Sequence, residues 1–264
     1  MRRQGKFGTI EVRDEAQRRT LYLQNQPQGA SYLRPSAQVV NPGFPPGEPG
    51  PVSSAAYALG WLVGAVHNPC ASVLMIGLGS GAGAVQLLYN FPDVDVTVVE
   101  IDPVMVQMAI DHYPLITYYM DLGRLNIVIE DANDYLRGKL DQWDYGCADA
   151  FTGKSATVDS FLPRMCRRCD EVYINIIDRL AGPSMESVIN QLGEGGREVA
   201  EVFKAVRPEY YGAFSAQSNW IATTQEPDFP ALASFAPFCD IDDAHAHESR
   251  VLWDSLIAST LSCV

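Results

Sequence analysis

Four glycines fall within seven residues in the stretch "VLMIGLGSGAG" (Val73–Gly83), directly after an apolar run. Such a run reads as a buried strand that breaks into a tight turn. The missing side chains let a ligand approach bare backbone, and the following helix offers unpaired N–H groups. Gly77, Gly79 and Gly81 are therefore the first candidate site residues. The next strand, "VTVVE", ends in Glu100, whose carboxylate can accept hydrogen bonds from both hydroxyls of a ribose. To this point NAD and S-adenosylmethionine fit equally well. A third strand, "LNIVIED", ends beside Asp131, placed to accept from an adenine amino group. A fourth, "WDYGCADAF", ends beside Asp149. A glycine turn, Glu, Asp and Asp on four strand ends describe a pocket for adenosine with a cationic or amine-bearing tail. A dehydrogenase would more usually place small residues at the fourth strand end, under the nicotinamide ring. Asp149 is the candidate general base or amine orienter. Asn175, a polar residue inside the apolar strand "YINII", needs a partner and adds a candidate on the acceptor side.

The elements that must hold these residues alternate. From Ser53 the pattern predicts a helix (53–66), then the strands already named separated by helices from the glycine turn through Leu88, over Pro103–Tyr113 and over "ANDYLRGK". A fifth strand, "EVYINII", precedes a helix expected over Ser184–Ala205. A hairpin is expected of "YYGAFSA" with "NWIATTQ", then a helix over Ala244–Ser259. Strands alternating with helices predict an α/β fold with a mostly parallel sheet covered on both faces. Before it, "FGTIEVRD", "RRTLYLQN" and "GASYLRPS" alternate with period two and predict two or three antiparallel strands. The Pro/Gly-rich run "NPGFPPGEPGP" (Asn41–Pro51) marks a boundary. Residues 1–50 read as a β-appendage and 51–264 as the ligand-binding domain.

The 264-residue chain is 47% hydrophobic and 19% charged, as a globular protein with a full core would be. A net charge of -13 leaves no basic excess to neutralise phosphates, which argues against a nucleic-acid partner. No apolar stretch approaches the ~20 residues that span a bilayer, and the N-terminus has no apolar segment behind its arginines. The six cysteines suit a reducing cytosol, so a cytoplasmic location is expected. Cys166 and Cys169 have metal-ligand spacing but no second pair, and no metal is expected. His245 and His247 read as exposed helix-start residues and Trp220 as core. Tyr118 and Tyr119 could line the acceptor site or pack.

The segments "VLMIGLGSGAG…VTVVEIDP…IVIEDANDYL…WDYGCADAF" resemble the spermidine-synthase-like branch of the class I S-adenosylmethionine-dependent transferases. The resemblance covers roughly residues 8–225. It implies a Rossmann-like class I methyltransferase fold with a seven-stranded sheet and a small N-terminal β-region. In that family the β-region ends in Leu-Asp-Gly-x-x-Gln, and "LQNQPQ" (Leu23–Gln28) has similar spacing. The resemblance therefore implies that Gln28 reaches the methionine-derived end of the donor. It further implies that Gly77, Gly79, Glu100, Asp131 and Ala132 bind the nucleoside, and that Asp149 helps take the proton of an attacking amine.

Three departures bear on the group transferred. Family aminopropyltransferases carry Gly-Gly-Gly-Asp-Gly in the glycine turn, where this chain has "GLGSG" with Ser80 in place of the acid. Their Tyr-His-Glu is matched by Ala55-Ala56-Tyr57, and their Asp-Ser-Ser-Asp by "DAFT", with Thr152 at the second acid. A diamine needs carboxylates at both ends, because a buried unpaired ammonium is costly. Ser80 suits intact S-adenosylmethionine, whose own carboxylate an acid would repel. The expectation is thus transfer of a methyl or other alkyl group to a small-molecule acceptor. The stretch after Asp149 would gate the acceptor site, with Phe151, Thr152 and Asn175 as gate residues. The alternative is an aminopropyltransferase using decarboxylated S-adenosylmethionine and an unusual amine. A NAD-dependent oxidoreductase and a non-catalytic binding subunit rank behind both. A homodimer is a further possibility.

Overall fold

The computed structural model describes residues 1–15, 18–32, 51–52, 72–138, 141–150, 161–177, 185–205 and 219–225. The N-terminal region forms an antiparallel sheet of β1 (Arg2–Gly5), β2 (Gly8–Glu15), β3 (Arg18–Leu23), β4 (Gln26–Tyr32) and β5 (Pro51–Val52), in that spatial order. That is more strands than the two or three expected, because the short polar β1 shows no apolar alternation. Ile10, Val12, Leu21 and Leu23 alternate onto one buried face. Leu23 pairs with Gln26 across a two-residue loop in which Gln24 and Asn25 take φ of 50° and 65°. Two left-handed residues match the twist of a tight hairpin, and Asn tolerates that conformation.

The larger sheet has seven strands. They are β6 (Ser72–Ile76), β7 (Asp95–Glu100), β8 (Leu125–Ile129), β9 (Trp143–Ala148), β10 (Cys169–Ile177), β11 (Glu201–Ala205) and β12 (Asn219–Thr223). Their spatial order is β11-β12-β10-β9-β6-β7-β8, with β12 antiparallel to both neighbours. The helices are α1 (Ala82–Asn90), α2 (Pro103–His112), α3 (Pro114–Asp121), α4 (Ala132–Gly138), α5 (Leu162–Cys166) and α6 (Met185–Glu194). Successive residues of β6 enter opposite cores. Val73 and Met75 join α1, α2 and α3, while Leu74 and Ile76 join α4, α5 and α6. A central strand covered on both faces has to be apolar on both, which explains its unbroken hydrophobic run. The buried face of the small sheet belongs to the first of these cores, so both sheets share α1 and α2.

The helix expected over Ser184–Ala205 ends early. Gly196 takes φ of 80°, and the amide of Arg197 donates to the Leu192 carbonyl at 3.0 Å, a glycine-type helix stop. The residues "EVFKA" that follow are β11, which pairs with β12 in the hairpin position expected of "YYGAFSA". "YYGAFSA", His245, His247, the two helices expected around 53–66 and 244–259, and Phe151 and Thr152 lie outside the described residues. Tyr118 and Tyr119 sit in α3, which the sequence reading did not include. They form an edge-to-face pair at 5.1 Å, with Tyr119 fully buried. Cys147, Cys166 and Cys169 are buried free thiols, and among the described residues no cluster suits a metal. Within them no helix is long and apolar enough to cross a membrane.

Candidate active site at the strand ends

A cleft of about 410 Å³ opens over the carboxyl ends of β6, β7, β8 and β9. Ligands bind at this edge of an open parallel sheet because the chain turns away there and leaves backbone groups unpaired. Its floor is the glycine turn. Gly77 has φ of 99°, and a Cβ there would lie 2.5 Å from the Asp149 carbonyl oxygen. Gly79 has φ of 55°, and its Cβ would lie 2.5 Å from the Gln28 carbonyl oxygen of β4. Both glycines are thus required twice over, by left-handed backbone and by close approach.

Glu100 ends β7 at 9% exposure. Its Oε2 accepts from the Leu78 amide and its Oε1 from the Asp102 amide, both at 2.9 Å. The carboxylate therefore ties the glycine turn to the start of α2, and it retains one lone pair on each oxygen for a ligand hydroxyl. Burial pushes its pKa up, and the two amides oppose that rise. Asp131 caps α4: its Oδ1 accepts from the Asn133 amide at 2.8 Å and its carbonyl from Tyr135 at 2.9 Å. Ala132 lines the cleft beside it.

Asp149 follows β9 on the same rim. Burial raises its carboxyl from 3.8 to about 7, against one hydrogen bond from Asn175 Nδ2 to Oδ1 at 2.8 Å. Asn175 is 5% exposed, and among the described residues its own Oδ1 has no partner. A carboxyl that titrates near neutrality, held by an amide with a spare acceptor, can orient an ammonium and take its proton.

Of the sequence candidates, Gln28, Gly77, Gly79, Glu100, Asp131, Ala132 and Asp149 line one cleft, and Asn175 backs Asp149. Ser80 and Gly81 do not line it. Gly81 is the N-cap of α1, against Ile116. Ser80 is 2% exposed and lies on the other side of the turn, where a Cβ on Gly29 would meet its Oγ at 2.1 Å. β4 covers this side of the turn, a contact between distant parts of the chain that no local pattern announces. The sequence reading also missed Lys6, Phe7 and Asp102, which line the cleft. The one available signal was "GKFG", two residues flanked by glycines, which is a hairpin turn. Among the described residues five acids line the cleft (Glu100, Asp102, Glu130, Asp131 and Asp149) against the one lysine, Lys6. That balance favours a cationic ligand.

No family model matches the chain. It is 33% identical over 92 residues to a polyamine aminopropyltransferase of Clostridium beijerinckii, and 31% over 91 residues to one of Lachnoclostridium phytofermentans. These matches cover 32% and 33% of this chain and 32% of each relative, so they span about a third of those relatives' length. Two solved structures are similar along nearly the whole chain. A spermidine synthase of Thermotoga maritima has a TM-score of 0.61 at 12% identity, covering 100% of this chain and 87% of its own. A structure described as a "probable spermidine synthase" of Corynebacterium glutamicum has a TM-score of 0.60 at 14% identity, covering 94% and 92%. Along nearly its whole length, from the antiparallel N-terminal sheet through the seven-stranded sheet, the chain has a spermidine-synthase-like fold.

Proposed function

We propose that the chain is an aminopropyltransferase, moving the three-carbon amine arm of decarboxylated S-adenosylmethionine to a small amine. The observation that supports this most is the Asp149–Asn175 pair on the rim of an acid-lined cleft. An amine of pKa near 10 arrives protonated at neutral pH and cannot attack until it loses a proton. Ionised Asp149 takes that proton. The nitrogen lone pair then attacks the carbon beside the sulfonium, the C–S bond breaks, and its electrons leave with a neutral thioether. Glu100 and Asp131 hold the nucleoside, and the glycine turn lets the sulfur approach the backbone. The rate enhancement comes from orientation and the exclusion of water as well as from proton transfer.

The names of the curated relatives favour this reading over methyl transfer. The argument for intact S-adenosylmethionine leaned on Ser80, which lies outside the cleft. The departures at Ala55-Ala56-Tyr57 and at Thr152 keep the acceptor apart from a simple diamine, so an amine with a single ammonium group is the proposed substrate class. Incubation with each donor, followed by mass detection of the leaving thioether, tests the proposal. Methylthioadenosine from the decarboxylated donor is the expected product. S-adenosylhomocysteine from the intact donor, with none of the former, would return the assignment to methyl transfer.

A further inference from the structure

One wall of the cleft, beside the end of β7, is a turn that the catalytic acids do not explain. Gly5 pairs with Gly8 across Lys6 and Phe7, and both of these residues line the cleft. The turn is pinned from two sides. The Lys6 amide donates to Asp102 Oδ2 at 2.6 Å, and the Phe7 carbonyl accepts from Gln24 Nε2 of the neighbouring hairpin. Gly5 allows the first contact, since a Cβ there would lie 2.4 Å from Asp102 Oδ2.

Asp102 is 2% exposed, and it divides its carboxylate between two tasks. Its Oδ1 caps α2 by accepting from the Val104 amide at 2.9 Å, while Oδ2 holds the turn. Its own amide donates to Glu100 Oε1. A continuous chain of hydrogen bonds thus runs from the carboxylate at the end of β7, through Asp102, to the turn over the cleft. Capping a helix needs only one oxygen, so the second is committed to placing Lys6 and Phe7.

We propose that the Lys6–Phe7 turn is the wall that closes over the donor's nucleoside, and that Asp102 is the positioning residue that sets it. This rests on the nucleoside donor proposed above. Phe7 supplies an apolar face beside Leu23, Ile101 and Met105, which line the same cleft. Its place is fixed through the backbone, so the turn holds its position whether or not the exposed Lys6 side chain moves.

Asp102→Asn separates the two tasks. An amide keeps an oxygen for Val104, and Asn caps as well as Asp does. Its NH2 would face the Lys6 N–H, donor to donor. Binding of methylthioadenosine by calorimetry and hydrogen exchange at the Lys6 amide are measured in the wild type, Asp102→Asn and Phe7→Ala. In Asp102→Asn, affinity is expected to fall about tenfold and Lys6 exchange to quicken by roughly an order of magnitude. The donor KM rises more than kcat falls. Phe7→Ala weakens binding about fivefold. Affinity within twofold of wild type in either variant, or unchanged Lys6 exchange in Asp102→Asn, overturns the proposal. Should Asp102→Asn not fold, Phe7→Ala decides alone, since Phe7 is half-exposed. Failure of the wild type to bind the nucleoside would instead sink the donor assignment, while the exchange arm still decides whether Asp102 holds the turn.

Discussion

The two walls of the cleft are built on opposite principles. On the strand-end side, side chains do the work: Glu100, Asp131 and Asp149 each project from a parallel strand end, and each is held by specific hydrogen bonds. On the N-terminal side, the wall itself is main chain, held by main-chain and side-chain partners. β4 meets the glycine turn through the Gln28 carbonyl, Gly29 and the Ser80 amide, and the Lys6–Phe7 turn is hung from its amide and carbonyl. The difference separates reactivity from placement. Asp149 can be changed without moving the strand it follows, whereas the seam between β4 and the glycine turn rests on main-chain contacts and is altered by a side chain only where one intrudes.

The largest effect that sharpens this contrast is expected from Asp149→Asn. Loss of a general base costs about 10²–10⁴ in turnover, with nucleoside affinity retained. In the wild type, kcat should climb from pH 6 to pH 8 as Asp149 ionises around its value of about 7. The same variant reads the cost of the site in stability. The folded-state pKa lies above the ordinary 3.8, so the protonated form is favoured on folding. That contribution is full below 3.8 and is lost as pH rises to about 7. Asp149→Asn should therefore raise the melting temperature more at pH 8 than at pH 5. A variant that loses affinity and turnover together, with no gain in stability at pH 8, would break the division between the walls.

Next in size is Gly29→Ala on the backbone side. Its φ of 136° and the 2.1 Å approach of the new Cβ to Ser80 Oγ should cost about 2–3 kcal/mol in chemical denaturation. Adding Ser80→Ala removes the oxygen and should return part of that loss, a non-additivity that only direct contact produces. The smallest effect belongs to Ser80→Ala alone. Its Oγ is buried with no partner among the described residues, so stability should change by less than about 1 kcal/mol and donor affinity hardly at all. A large loss of donor binding would put Ser80 back in the cleft.

What the sequence made legible follows the same line. "DVTVVE" announces both a strand and the acid that ends it, because period and terminus are local. The glycine turn announces a close approach but not what approaches. Hence Gly79 was recognised for its ligand side, while the Gln28 carbonyl on its other side was not foreseen. Ser80 stands where the resembling family keeps an acid, which points it at the ligand, and only the covering strand shows that it faces Gly29 instead. The Ser184–Ala205 helix was overextended because "GEGG" was read through. The register of β11 depends on pairing with β12, which no window of the chain contains.

The seam between β4 and the glycine turn also bears on engineering. Its contacts depend on main-chain position and on the absence of side chains at Gly29 and Gly79. Outward residues of the small sheet that do not reach α2, as Arg3 does to Asp111 and Arg19 to the His112 carbonyl, can be rewritten without touching that seam. A foreign N-terminal sheet could be grafted in its place if it kept the buried face of Ile10, Val12, Leu21 and Leu23, the Gly5–Gly8 turn, the two-residue hairpin at Gln24–Asn25 and the glycine at position 29. Such a cassette would change what the cleft admits while leaving the carboxylates on the strand ends where they stand.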